Sequence, residues 1–306
     1  MKLSVCVVTY NQEKYIAECL QSIVDQVTDF DFEIIVGDDG SSDSTRQIVS
    51  AFAKRYKNIV PVLHEKNMGG AHNYKAVHGL ATGMYIAHMD GDDLMLPGKL
   101  QAQADVLDRH PDCVVCAHSM QTMKDGVISG IWKAYPEGKY GMVELINTLP
   151  FFCHSSKMYR ASLQSHKMVE DETLDVEVHL YDSSHGSIFY IGRELGIYRL
   201  NAGVSTSAGS RWASPSWALE RGSRRLFENA YDHLDAAVVD RAKAKYLFEL
   251  AYQYALAGDM TRYGDLMKES IKTKRTGLLQ AGMYALRFLP AIAVKVARHR
   301  AGKKGY

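Results

Sequence analysis

Three carboxylates in four residues, Asp90, Asp92 and Asp93, follow directly on the short apolar run Met84-Tyr-Ile-Ala-His-Met89. Such a run reads as a strand buried in an α/β core, and three like charges at its end need a partner. A hard divalent cation, Mg2+ or Mn2+, takes oxygen ligands and bridges to substrate phosphates, which makes it the natural candidate. The plainer alternative is an acidic turn capping a helix that opens at Pro97. The surroundings decide between them.

A second cluster stands in the same relation to a second apolar run. Phe32 to Val36 empties into Gly37-Asp38-Asp39-Gly40-Ser41-Ser42-Asp43-Ser44, where Gly40 can take a positive φ and Ser42 or Asp43 can cap a helix beginning near Thr45. Ahead of it, Leu3 to Thr9 is a strand ending in Tyr10-Asn11, followed by helical spacing at Ile16, Leu20, Ile23 and Val24. Asn58 to Leu63 is a third strand, leading through Asn67 and Gly69 into a helix from Ala71 to Ala81. Pro97 to Arg109 is a helix with Pro in its first turn, and Cys113 to Ala117 a fifth strand. Strands alternating with helices over 1–118 predict a largely parallel, doubly wound sheet. Ligands bind such sheets outside the carboxyl ends of the strands, and Thr9 to Asn11, Asp38 to Asp39 and Asp90 to Asp93 all fall there.

Composition narrows the chemistry. At 306 residues, 46% hydrophobic and 23% charged, the chain suffices for a large domain with an appendage or for two domains. A formal charge of +1 provides no global field for nucleic acid, so no such partner is expected. Five scattered cysteines, an odd number, indicate a reducing compartment, and Cys113-Val-Val-Cys116 reads as buried strand rather than zinc or redox motif. The strand pattern at the start predicts no signal peptide, consistent with a cytoplasmic location. There is neither a GxGxxG after the first strand nor a GxxxxGK[ST] anywhere, so the dinucleotide and P-loop readings lose their basis. What remains is a site for a phosphate ester held through a metal.

The second half is less regular. Gly126, Gly130, Gly138 and Gly141 punctuate aromatic pieces, as in loops shaping a pocket, and Phe151 to Arg160 reads as a further strand. The acidic stretch Val169 to Glu177 leads into a helix through Val178 and Leu180, and one of its carboxylates could serve as a general base. Ile188 to Ile191 reads as a last strand, before a Ser/Gly-rich loop from Asn201 to Trp217 suited to a lid. Amphipathic helices fill 218–275. Gly277 to Ala297 is apolar, but Arg287, Pro290 and Lys295 interrupt it, and a charge at mid-span costs about 2.5 to 3.5 kcal/mol. A basic amphipathic segment on a membrane surface, extending over 277–304, is expected ahead of a plain C-terminal packing helix, with a true span last.

Val7-Val-Thr9-Tyr10-Asn11, Ile35-Val-Gly-Asp38-Asp39-Gly-Ser-Ser-Asp43, Asn67-Met-Gly69 and Tyr85-Ile-Ala-His-Met-Asp90-Gly-Asp92-Asp93 through Pro97 resemble, in order and spacing, the family 2 glycosyltransferases. The likeness covers residues 1–205. It implies an α/β GT-A fold, Rossmann-like with a predominantly parallel sheet flanked by helices. The implied domains are 1–215, with a nucleotide-binding half at 1–118 and an acceptor half at 119–215, and a helical C-terminal region at 216–306. The implied activity is inverting transfer from a nucleotide-diphosphate sugar, UDP by family frequency, to a carbohydrate or lipid-linked acceptor in bacterial surface-polysaccharide assembly. Family roles fall on Thr9, Tyr10, Asn11, Asp38, Asn67 and Gly69, with Asp39 on the base. Asp90 and Gly91 meet the ribose, while Asp90 and Asp92 hold the Mn2+ or Mg2+ that neutralises the leaving diphosphate. Asp93 stands between that role and capping. The acceptor base matches Asp175 best, with Glu177 and Asp171 open. The family's Tyr-Arg-x-His is here Tyr198-Arg199-Leu200-Asn201, which leaves Arg199 or Arg211 as candidate phosphate holders. A nucleotidyltransferase is the alternative enzyme, although the first loop lacks its Gly-rich basic character. A non-catalytic nucleotide-sugar-binding scaffold is favoured only if Asp175 and Glu177 lie far from the pocket.

Overall fold

Leu3–Thr9 forms β1, with all but one residue buried. Both faces are covered, which is why the run lacks polar alternation. In the computed structural model residues 1–149, 151–202, 217–286 and 290–304 are described. The chain divides into two compact units, Met1–Ser210 and Arg211–Tyr306.

The first unit begins β1, α1 (Ile16–Val24), β2 (Phe32–Asp38), α2 (Thr45–Arg55), β3 (Ile59–Leu63), α3 (Gly70–Gly79) and β4 (Tyr85–Asp90). It continues with β5 (Leu94–Met95), α4 (Lys99–Arg109), β6 (Cys113–Lys124), β7 (Val127–Trp132), β8 (Gly138–Tyr140), α5 (Met142–Asn147), β9 (Met158–Arg160), α6 (Asp175–Ser183) and β10 (Ser187–Arg199). The sheet runs β3-β2-β1-β4-β9-β6-β10-β5, with β7 on β6 and β8 on β10. β3, β2, β1 and β4 are mutually parallel. β9 then enters antiparallel to both β4 and β6. The expected doubly wound half is therefore present, and the second half is mixed.

Helical spacing turns α1 so that Ile16, Cys19, Leu20 and Ile23 are buried, while α4 contributes Leu100, Ala104 and Leu107 to the same core as Val5, Val7 and Val36. Each fully buried aliphatic side chain of this kind contributes about 1.5–3 kcal/mol. All five cysteines are free and buried, the Cys113 and Cys116 pair within β6.

The expected strand from Phe151 to Arg160 shrinks to Met158–Arg160. Before it, Cys153 accepts both the Ser156 amide at 3.0 Å and the Ser156 hydroxyl at 2.7 Å, bending His154–Ser156 into a 3-10 turn. Serine competes with extended pairing in this way.

The second unit holds α7 (Trp217–Ala230), α8 (Ala236–Ala257), α9 (Met260–Thr273), α10 (Leu278–Ala285) and α11 (Pro290–Lys304). Asp235 caps α8 through the Ala237 amide at 2.8 Å, Gly258 ends it at φ 88°, and Asp259 caps α9 through the Arg262 amide at 2.9 Å. Leu247, Ala251, Tyr263, Leu266 and Met267 share a core with Met283, Ala293 and Ala297. The apolar C-terminal segment is thus two short helices, each with a face committed to this core. Leu278, Leu279 and Ile292 stay 92%, 51% and 47% exposed. Among the described residues no helix is long and apolar enough to cross a membrane. Of the expected lid, residues 203–216 lie outside the described residues, and Arg211 with them.

Candidate active site

The strand order reverses direction at β1, whose neighbours are β2 on one side and β4 on the other. That is the switch point at which open α/β sheets leave a crevice. Register places Val8 beside Asp90 and Thr9 beside Asp38, so all three expected clusters meet at one edge. The Gly91 amide closes on the Val8 carbonyl at 2.9 Å. A Cβ on Gly91 would lie 2.5 Å from Gln12 Oε1 and 2.8 Å from Thr9 Cβ. Only glycine fits, because Thr9 and Gln12, joined by a 2.7 Å hydrogen bond, fill that space.

Asp90 is held from behind. Its Oδ1 lies 3.2 Å from His88 Nε2, and its Oδ2 accepts from the Ser155 hydroxyl at 3.1 Å. Burial alone would raise its pKa, but the His88 and Ser155 contacts and the Lys99 charge leave it below the usual carboxylate range. Asp92 is pushed up to about 6, by burial first and by Asp90 second. Asp93 is raised well above its ordinary value by burial and by both neighbours. Its Oδ1 accepts the Arg199 amide at 3.0 Å, and its Oδ2 is buried without a hydrogen-bond partner. Arg199 also donates to the Asp92 carbonyl at 2.6 Å and pairs with Glu18, so it clamps β10 to the acidic turn. Lys99, wholly buried, has its pKa lowered to about 8 by desolvation, with the nearby carboxylates opposing; its ammonium is 2.6 Å from the Ser155 carbonyl.

These carboxylates fit a hard divalent cation. Asp92 and Asp93 are raised because negative charge is crowded into a buried place, and a cation relieves that crowding. Among the described residues no group of three His, Cys, Asp or Glu is arranged as a complete metal site. A cation here would therefore take part of its oxygen shell from a ligand, as Mg2+ does with phosphates.

The second acidic pair is turned to the loops. Asp38 is fully buried and accepts both the Ser41 hydroxyl and the Ser41 amide, so it braces the turn at Gly40, where φ is 69°. Asp39 accepts the Met68 amide at 2.8 Å and the Gly69 amide at 3.0 Å, fixing the Asn67–Gly69 loop; Asn67 Oδ1 adds a 3.1 Å bond to the Gly69 amide. Asn11 takes φ 52°, which asparagine tolerates, and its side-chain oxygen accepts the Ser42 amide at 2.9 Å. Tyr10 is half-buried beside it.

Asp175 opens α6. The residue is exposed to solvent, yet protein groups lie densely around its carboxyl. There desolvation, then the Asp90 charge, raise its pKa to about 6, with Lys157 opposing. Glu177, 5% exposed, accepts the Leu174 amide at 2.8 Å and caps its own helix. Asp171 lies in the exposed turn before α6. Asp175 is thus the candidate base that feels the charge of Asp90.

The sequence reading missed Ser155, His88, Lys99 and Gln12. Ser155 arrives through the 3-10 turn, for which spacing carries no signal. His88 looks like a filler in an apolar strand. Burial pulls His78, His88, His154 and His179 below the ordinary imidazole range, although Asp90 works the other way on His88.

A switch-point crevice with two strand-end carboxylate clusters defines a GT-A protein. The Glycosyl transferase family 2 profile matches residues 4–166, more than half of the chain, and the chain belongs to that family. It is 31% identical over 205 residues to an uncharacterized protein of Mycobacterium tuberculosis, covering 65% of this chain and 59% of that one. It is 41% identical over 96 residues to the poly(ribitol-phosphate) beta-glucosyltransferase of Bacillus spizizenii, covering 30% of this chain and 15% of that one. The crystal structure of S. aureus TarS 1-349 in complex with UDP-GlcNAc matches in fold with a TM-score of 0.69 at 21% identity, covering 100% of this chain and 92% of that chain. The chain spans 59% of the length of the curated relatives it first matches.

Proposed function

We propose that the protein is an inverting glycosyltransferase that moves a sugar from a nucleotide-diphosphate donor, UDP-linked, to a saccharide or lipid-linked saccharide in surface-polysaccharide assembly. The observation that carries this reading is the convergence of Thr9, Asp38 and Asp90 at the β1 edge of a family 2 domain. Asp175, at the start of α6 and with its pKa raised to about 6 by desolvation and then by Asp90, serves as the base that turnover needs and a binding scaffold does not.

The nucleotide lies at the β1 edge, between Thr9–Asn11 and the Asn67–Gly69 loop that Asp39 holds, with the ribose toward Asp90 and Gly91. Mn2+ or Mg2+ held by Asp92 and Asp90 supplies charge neutralisation for the leaving diphosphate. Asp175, deprotonated, takes the acceptor hydroxyl proton while that oxygen attacks the anomeric carbon opposite the diphosphate. The bond from carbon to diphosphate oxygen breaks as the new bond forms, so the configuration inverts. The relative acting on poly(ribitol-phosphate) and the UDP-GlcNAc in the TarS structure support this class of donor and acceptor. The protein works at the inner face of the membrane, held there through 277–304.

The test is a nucleotide-sugar screen with and without Mn2+, read first by thermal shift and then by transfer, since a ligand that binds only the folded state raises its stability. No shift with any nucleotide diphosphate, or full transfer by Asp92→Ala, would overturn the reading.

A further inference from the structure

Behind Asp90 a file of hydrogen bonds runs unbroken into the core. His88 Nε2 is 3.2 Å from Asp90 Oδ1, His88 Nδ1 is 3.0 Å from His78 Nε2, and His78 Nδ1 is 2.8 Å from the Tyr159 hydroxyl. His78, His88 and Tyr159 are 1%, 1% and 0% exposed, so water cannot complete their valences. Tyr74 stacks on His78 at 3.8 Å between ring centroids, and His154 lies against His88 at 4.0 Å, which fixes the ring planes.

Counting donors fixes the direction of the file. A carboxylate only accepts, so His88 donates from Nε2. A neutral imidazole that donates from one nitrogen accepts at the other, so His88 Nδ1 receives the Nε2–H of His78. His78 Nδ1 in turn receives the Tyr159 hydroxyl proton. With His88 fixed by the carboxylate, His78 has no other order open to it, so the Tyr159 hydroxyl, which also meets Tyr74, donates to His78. This order uses every donor once.

We propose that His78 and Tyr159 are positioning residues for the donor site: remote from the acidic turn, they fix the His88 tautomer and so the orientation of the Asp90 carboxylate. His88 and Ser155 occupy one position on each oxygen, and the remaining lone pairs are left for cation and ribose. This inference rests on the reading above, in which Asp90 and Asp92 share a divalent cation. Partners standing behind a metal ligand typically change metal affinity by about 10–100-fold.

Nitrogen-15 NMR of the histidines in the intact, metal-free protein should show His78 and His88 as Nε2–H tautomers. His78→Leu deprives His88 of its donor and should weaken Mn2+ binding, measured by calorimetry with UDP present, by about 10–100-fold. His78→Gln keeps a side-chain N–H for His88 and should restore most of that affinity. Tyr159→Phe, which deletes one oxygen, should shift it the same way by a smaller factor, and carries the test if leucine at 78 prevents folding. An Nδ1–H tautomer at either histidine with intact Mn2+ binding overturns the file alone. Wild-type affinity in the folded His78→Leu and Tyr159→Phe proteins overturns the positioning role. Assigned tautomers with no Mn2+ binding by the wild type overturn the metal reading, and this role with it.

Discussion

Asp175, at the start of α6, has its pKa raised to about 6 by desolvation first and then by the charge of Asp90, at the end of β4. The two side chains come from opposite halves of the first unit, and in the proposed reaction one belongs to the donor corner and the other is the acceptor base.

Removing the base should leave donor binding intact and slow the chemistry. Asp175→Asn is expected to lower kcat by about 10²–10⁴-fold with little change in the donor KM. The base acts only when deprotonated, and its pKa is about 6. The wild-type rate should therefore rise with pH through about 6 and level off above it. A pH-independent rate from 5 to 8 would refute the assignment.

Gly91→Ala should collapse the donor site without touching a carboxylate. The new methyl group would sit 2.8 Å from Thr9 Cβ, and overpacking of that kind costs about 1–3 kcal/mol. Chemical denaturation and UDP calorimetry should both show a loss.

Asp39→Ala releases the Met68 and Gly69 amides. A buried group left unpaired costs about 1–3 kcal/mol, but Met68 is exposed and Asn67 Oδ1 still accepts the Gly69 amide, so stability should fall by less than that while the donor KM rises. An unchanged KM would detach the Asn67–Gly69 loop from nucleotide binding.

Lys157 and Asp182 form a wholly buried pair at 3.1 Å, with the Ser165 hydroxyl on the other Asp182 oxygen. Breaking it from one side strands a charge, so Lys157→Met is expected to lose about 3–5 kcal/mol. Replacing both partners by apolar residues should recover much of that loss. Equilibrium denaturation of the single and double variants measures the difference.

The second unit offers a separate test. Leu278, Leu279 and Ile292 are exposed on short helices, and no acidic residue follows Glu269 in the sequence. Cosedimentation with phosphatidylglycerol vesicles should exceed that with phosphatidylcholine and weaken with salt. Serine at both 278 and 279 should reduce it; equal binding to the two vesicles would remove the membrane from the proposal.

The sequence by itself determined the strands of the first half, the order of their carboxylate-ended loops and the family. These are local properties: a buried apolar run ends where its charges begin, and the spacing from run to run is written in the chain. Gly91 was legible as a site residue, but its necessity appears only when Thr9 and Gln12 are seen filling the space beside it. Tertiary structure alone decided which partners each carboxylate has. Asp38 and Glu177 carry the same chemistry as their neighbours Asp39 and Asp175, yet one braces a turn and the other caps a helix. It also brought Ser155 and the His88–His78–Tyr159 file to Asp90, and broke the apolar C-terminal segment into two packed helices. Hydrogen-bond partners and packing faces join residues far apart in the chain, and periodicity records only what each residue does within its own element.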